Sequence, residues 1–127
     1  TYMGMVSGQM KCFLDATSSR WMEGKWNSKL ASGFTSSIDL SGDKQSTLSY
    51  LVTFASQHGM IWVSWDVTNC LFQGQSMEEA TNRLSSNTGV MSQVNFGYEF
   101  SPTKGDLKTA ELHGLRVATL TNKFCSD

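Results

Sequence analysis

Ser36, Ser37, Ser41 and Gly42 lie close together in the stretch FTSSIDLSGDKQSTL, which runs from Phe34 to Leu48. Hydroxyls and backbone N–H groups gathered between an apolar run and an amphipathic one supply hydrogen-bond donors. The same serines also suit a plain connection that caps the helix beginning after Asp43. Other chemistry is poorly represented. No Ser-His-Asp set is evident, and the GDK around Gly42 lacks the flanking glycines of a phosphate-binding loop. Cys12, Cys70 and Cys125 are odd in number and widely spaced, which suggests neither a disulfide framework nor a zinc site. His58 ends a helical stretch and reads as a capping or packing residue, His113 as surface, and Trp62 and Trp65 as packing.

The elements that must position these groups follow from periodicity. Val6, Met10, Phe13 and Leu14 stand at helical spacing, which predicts a helix from about Val6 to Ala16, ended by Thr17-Ser18-Ser19. KLASGFTS, from Lys29 to Ser36, predicts a short strand. Leu48, Leu51, Val52 and Ala55 form one stripe of a second helix, with Gly59 as its stop. MIWVSW, from Met60 to Trp65, predicts a strand. SMEEATNRL predicts a short helix, because Ser76 and Glu79 fit a capping box. GVMSQVNFGYEF suits a strand or a loop wall. The last element, GDLKTAELHGLRVATLTNKF, is a helix whose Leu107, Ala110, Gly114, Val117 and Ala118 form a face for packing on a sheet.

Helix, strand, helix, strand, variable loop, helix is an α/β alternation that favours parallel strands covered by helices. Two strands make a thin sheet, and an uncovered edge invites pairing with another chain. With 127 residues, 39% hydrophobic and 17% charged, the composition is that of one ordinary globular domain. The net charge of −1 comes without any basic run, which argues against nucleic acid and anionic membrane as partners. No apolar stretch approaches the length of a membrane span. The N-terminus has no basic flank of a signal peptide, and Thr1-Tyr2-Met3-Gly4 reads as the middle of a loop. A reducing, cytoplasmic setting is expected.

TYMGMVSGQMKCFLDATSSRW resembles a segment of the flavodoxin-like NAD(P)H:quinone oxidoreductases of the WrbA type. There, a Pro-Thr-x-x-Gly loop after the third strand leads into a GQMK-x-FLD-x-T helix and a tryptophan. KLASGFTSS, SGDKQSTL and QHGMIWV are similar to the family's fourth strand, the following loop and helix, and its fifth strand. GDLKTAELHGLRVATL is similar to its final helix. The resemblance covers nearly the whole chain and is weakest between Asp66 and Pro102.

The resemblance implies an α/β fold, the C-terminal portion of a flavodoxin-like three-layer α/β/α domain with a short parallel sheet. Residues 1–127 would form a partial domain without the first strands and the phosphate-binding loop. It implies FMN as cofactor, NAD(P)H as reductant, a quinone-like small molecule as acceptor, and a homo-oligomer whose active site lies between subunits. Thr1, Tyr2, Met3 and Gly4 match the first ring-binding loop, and Ser36, Ser37, Ser41 and Gly42 match the second. Gln57 stands where some relatives carry the first of two adjacent histidines, the one that touches the flavin. Trp21 matches an aromatic lining the space above the ring, although Trp21 and Trp26 equally suit covering a helix–strand junction. No residue is expected to act as a catalytic group or metal ligand. The chain departs from the family at Ile38-Asp39-Leu40, where relatives place a glycine after the Ser37 position and avoid acid. Asp39 beside a reduced flavin would be repulsive, and Ile38 resists positive φ. The alternative expectation is a non-catalytic half-domain that self-associates through an exposed strand edge.

Overall fold

The computed structural model of the protein describes residues 1–66, 74–94 and 102–125. Cys70 and the Asn95–Phe100 part of the expected strand or loop wall lie outside the described residues. The elements run α1 (Gly8–Asp15), α2 (Ser18–Met22), β1 (Leu30–Ala31), β2 (Phe34–Ser37), α3 (Lys44–Gln57), β3 (Ile61–Trp62), β4 (Val90–Gln93) and α4 (Lys104–Phe124). Ser7 caps α1 by accepting from the Met10 N–H, and Thr103 caps α4 by accepting from the Asp106 N–H.

All the strand pairing is parallel. β1 pairs with β3, and β2 pairs with β4 from Phe34 opposite Val90 to Ser37 opposite Gln93. The Ala31 carbonyl accepts from the Val63 N–H, and the Gly33 carbonyl accepts from the Val90 N–H. The lane beside β1–β2 is therefore assembled from two chain segments, one at Ile61–Trp62 and one at Val90–Gln93. Gly33 and Thr35 face α3, where an added Cβ on Gly33 would meet Leu48 and Leu51. Ser32 faces the other way and reaches His113 of α4. This alternation puts the two helices on opposite faces, the three-layer arrangement expected. Leu14, Leu48, Ala55, Val63, Trp65, Ala80 and Val90 form the buried apolar core.

Three expectations fail. Ser76–Leu84 is a run of turns rather than a helix: a single turn closes from Ala80 N–H to the Ser76 carbonyl. Asn82 then enters the left-handed region at φ 46°, with its N–H held by Thr109 Oγ1. Tertiary bonds override the capping box there. The inner face of α4 carries Gly105, Asp106, Thr109 and His113, whereas Leu107, Ala110, Gly114 and Ala118 are exposed. The third is His113, which is buried at 5% exposure rather than on the surface.

His113 has a measurable consequence. Ser32 donates its hydroxyl to the Val63 carbonyl, so His113 Nε2 carries the hydrogen that bonds Ser32 Oγ. His113 Nδ1 is buried without a partner among the described residues. Burial first, then the Arg116 guanidinium, lower its pKa below the usual 6.5, with Asp66 opposing. The unfolded chain therefore binds this proton at a higher pH than the folded one. The stabilising contribution is complete above 6.5 and is lost as pH falls through the lowered folded value. Urea midpoints at about pH 7.5 and about pH 5.5 should drop more in the parent than in His113→Gln. Equal drops would exclude His113 as the source.

Candidate functional site

β2 delivers Ser36 and Ser37 to the carboxyl end of the sheet, and residues 38–43 turn back into α3. The turn is built around Lys44, which is 1% exposed. Its Nζ donates to Ser37 Oγ (2.6 Å), the Asp39 carbonyl (2.9 Å) and the Leu40 carbonyl (2.9 Å). Ser37 spends its own hydrogen on the Asp39 carbonyl. All three Nζ partners therefore accept, which is the full donor capacity of an ammonium and one more than a neutral amine has. The Ile38 carbonyl is held by Gln93 Nε2 at 3.1 Å.

Three successive carbonyls are thus engaged. In a trans peptide the N–H points opposite to the C=O, so the Asp39, Leu40 and Ser41 N–H groups point away from Lys44 and Gln93. None of the three meets an acceptor among the described residues. A run of free N–H groups on one side of a turn favours an anionic or electron-rich edge. The chain tightens this turn with left-handed residues at Gly42 (φ 52°) and Asp43 (φ 53°), not at Ile38. A Cβ on Gly42 would lie 2.1 Å from Ser37 Oγ, so only glycine lets the loop fold onto β2.

The N-terminal segment comes to the same end. The Thr1 nitrogen donates to the Ser36 carbonyl (2.6 Å), and Thr1 Oγ1 lies 2.9 Å from Thr35 Oγ1 and 2.8 Å from Thr47 Oγ1. Tyr2 and Met5 exchange both backbone hydrogen bonds. With φ of 49° at Met3 and 79° at Gly4, this is a type I′ turn. Gly4 approaches Asp43, and Tyr2 and Met3 project into solvent at 71% and 89% exposure. Thr1–Gly4 and Ser36–Gly42 therefore share one end of the molecule.

The structure also separates residues. The Ser36 hydroxyl donates to the Ser92 carbonyl and the Ser37 hydroxyl is committed to Asp39, which leaves the backbone N–H groups and the exposed Ser41 hydroxyl as free donors. Gln57 ends α3, which starts at this loop, and a helix of 14 residues carries it about 20 Å away. Trp21 and Gln57 line a separate cavity of about 490 Å³ with Tyr50, Phe54 and His58. His58 is packed against Trp26 and Phe54, with Nε2 3.0 Å from Thr17 Oγ1. An apolar trough of about 670 Å³ runs between residues of α1, β1–β2 and α3. Phe13 and Phe34 on its wall are 55% and 80% exposed.

Lys44 escaped the sequence reading, although a signal was present. A cation in the first turn of a helix opposes the macrodipole, so it needs a local reason. Gln93, Arg83 and Asp106 also escaped it. Arg83 Nε and Nη2 bind both Asp106 oxygens at 2.8 and 2.9 Å, and Asp106 Oδ2 accepts from the Gln93 N–H at 2.9 Å. Burial lowers the Lys44 pKa below the ordinary lysine value; Asp106 opposes that, Arg83 adds to it, and Asp39 opposes it. No group of three or more His, Cys, Asp or Glu among the described residues is placed to hold a metal. No described helix is long and apolar enough to cross a membrane.

No protein-family model matches the chain. Curated relatives do. The flavodoxin FldP of Pseudomonas aeruginosa is 41% identical over 122 residues, 94% of this chain and 65% of its own length. An NAD(P)H dehydrogenase (quinone) of Geotalea uraniireducens is 37% identical over 125 residues, 98% of this chain and 59% of its own. A WrbA-like flavodoxin of Agrobacterium tumefaciens superposes with a TM-score of 0.70 at 40% identity, over 97% of this chain and 62% of that one. Over nearly its whole length the chain is similar to flavodoxin-like, WrbA-type proteins. The loop around Lys44 leaves β2 at the sheet's carboxyl end, the side on which open α/β sheets bind ligands. The chain spans under two thirds of the length of these relatives.

Proposed function

We propose that these residues form the flavin-ring side of an FMN-dependent NAD(P)H:quinone oxidoreductase. The observation that carries this reading is the run of outward N–H groups at Asp39, Leu40 and Ser41. Their donor-only character fits the electron-rich pyrimidine edge of a flavin, and Thr1–Gly4 provides a second wall. Bound FMN would supply the hydride and two-electron chemistry between NAD(P)H and a quinone-like acceptor. The chain's own part is to hold the ring edge, place donors where negative charge develops, and keep the turn rigid.

Trp21 and Gln57 lie too far from the loop to serve the same ring within one chain. In this reading they serve it from a second subunit, which makes the functional unit a homo-oligomer. Cys12 and Cys125 are free thiols, in keeping with a cytoplasmic protein.

In this reading no phosphate-holding loop stands among the described residues. Several charge-assisted hydrogen bonds at roughly 1.5–3 kcal/mol each are therefore missing from any FMN complex of these residues alone. The loss amounts to about a thousandfold or more in affinity, and turnover by these residues alone is expected to be weak or absent. The 127-residue chain should bind riboflavin and FMN with equal affinity, read by fluorescence quenching. Binding of neither would sink the flavin reading, and a strong preference for FMN would show that a phosphate site had been missed.

The apolar trough and the exposed Phe34 favour a second reading, a non-catalytic half-domain that pairs through the open edge of β1–β2. Light scattering with a flavin spectrum separates the two. A colourless, tightly paired protein supports the half-domain, and a colourless monomer argues against it.

A further inference from the structure

Lys44 is an expensive residue for its task. Its ammonium is buried, sits at the positive end of the α3 dipole, and contacts only uncharged oxygens. The nearby carboxylate of Asp106 is already paired on both oxygens with Arg83, and the Asp39 carboxylate is exposed. Three buried charges behind the loop, Lys44, Arg83 and Asp106, therefore sum to one net positive charge. A neutral amide could hold two of the turn's carbonyls without that desolvation, so what the lysine adds is charge.

We infer that Lys44 is a positioning residue for this site: it draws the Asp39 and Leu40 carbonyls inward so that the Leu40 and Ser41 N–H groups face the ligand, and it places a buried positive charge behind them. The loop then holds a ring edge more tightly as that edge gains negative charge, which favours the reduced ring over the oxidised one. This rests on the flavin reading above and goes beyond it, because it assigns a bias between redox states to a residue that does not touch the ligand.

The test uses riboflavin, whose binding needs no phosphate site, titrated into the chain in oxidised form and after reduction with dithionite. The parent should bind the reduced form more tightly. Lys44→Met keeps the aliphatic stem and removes the charge. It should cut the reduced-to-oxidised affinity ratio by about tenfold or more, the size expected of one charge acting over several ångströms at an intermediate dielectric. Lys44→Arg, which keeps the charge, should restore most of that ratio. Amide spectra of the ligand-free variants report whether Leu40 and Ser41 keep their environment. If Lys44→Met does not fold, Lys44→Gln, with two donors and no charge, carries the same comparison. An unchanged ratio in the neutral variant overturns the inference while leaving the flavin reading standing. A parent that binds no riboflavin in either state ends both.

Discussion

Arg83→Met is expected to lower folding stability by about 3–5 kcal/mol, the loss typical when one partner of a buried ion pair is removed. The Arg83 and Asp106 side chains are 4% and 1% exposed, so water cannot replace the lost guanidinium. Asp106 would keep the Gln93 N–H and its place in the first turn of α4, which softens the loss without cancelling it. A domain of this size has about 5–15 kcal/mol in total, so the variant sits near the threshold of folding. Urea denaturation gives the value. Arg83→Met combined with Asp106→Leu should recover most of it, because apolar replacements of both partners leave no orphaned charge. A single variant that unfolds at the parent's midpoint would show the pair to be dispensable. The pair also reaches the site, since Asp106 holds Gln93 and Gln93 holds the Ile38 carbonyl.

Gly42→Val should have the largest effect on the loop itself. A β-branched residue at φ 52° is a genuine outlier, and its Cβ would lie 2.1 Å from Ser37 Oγ and 3.1 Å from the Asp39 carbonyl. Left-handed strain and overpacking together cost about 2–5 kcal/mol. Relief comes by pushing Ser37 off Lys44, which frees the Asp39 and Leu40 carbonyls to rotate. Riboflavin binding should fall below detection while the core, read by tryptophan fluorescence of buried Trp65, stays intact. Retained binding would mean that the outward N–H groups are not what holds the ring.

The alternation of helices and strands and the parallel pairing were legible from local pattern, whereas bringing Thr1–Gly4 and Ser36–Gly42 to one end followed only from the family resemblance. Leu48 and Ala55 mark α3 by their spacing, and Gly59 marks its stop. Pattern misled where polar groups occupy the interior. The inner face of α4 is built on Asp106 against Arg83, Thr109 against Asn82 and His113 against Ser32. A stripe of apolar residues therefore pointed to the outer side. Ser76–Leu84 failed for the same reason: its backbone is held by α4, a partner more than 20 positions away that no local window contains. Lys44 was hidden because a lysine near a helix start reads as surface until its acceptors are seen.

The split neighbour lane sets the order in which this protein becomes competent. The turn after β2 leans on Gln93, which comes well after Trp62 in the chain, and Gln93 leans on Asp106, later still. Loop closures of that span are slow compared with forming α3. A chain emerging from the ribosome would acquire α3 early but align its donors only once α4 had docked, so ligand capture would mark the end of maturation rather than assist its beginning.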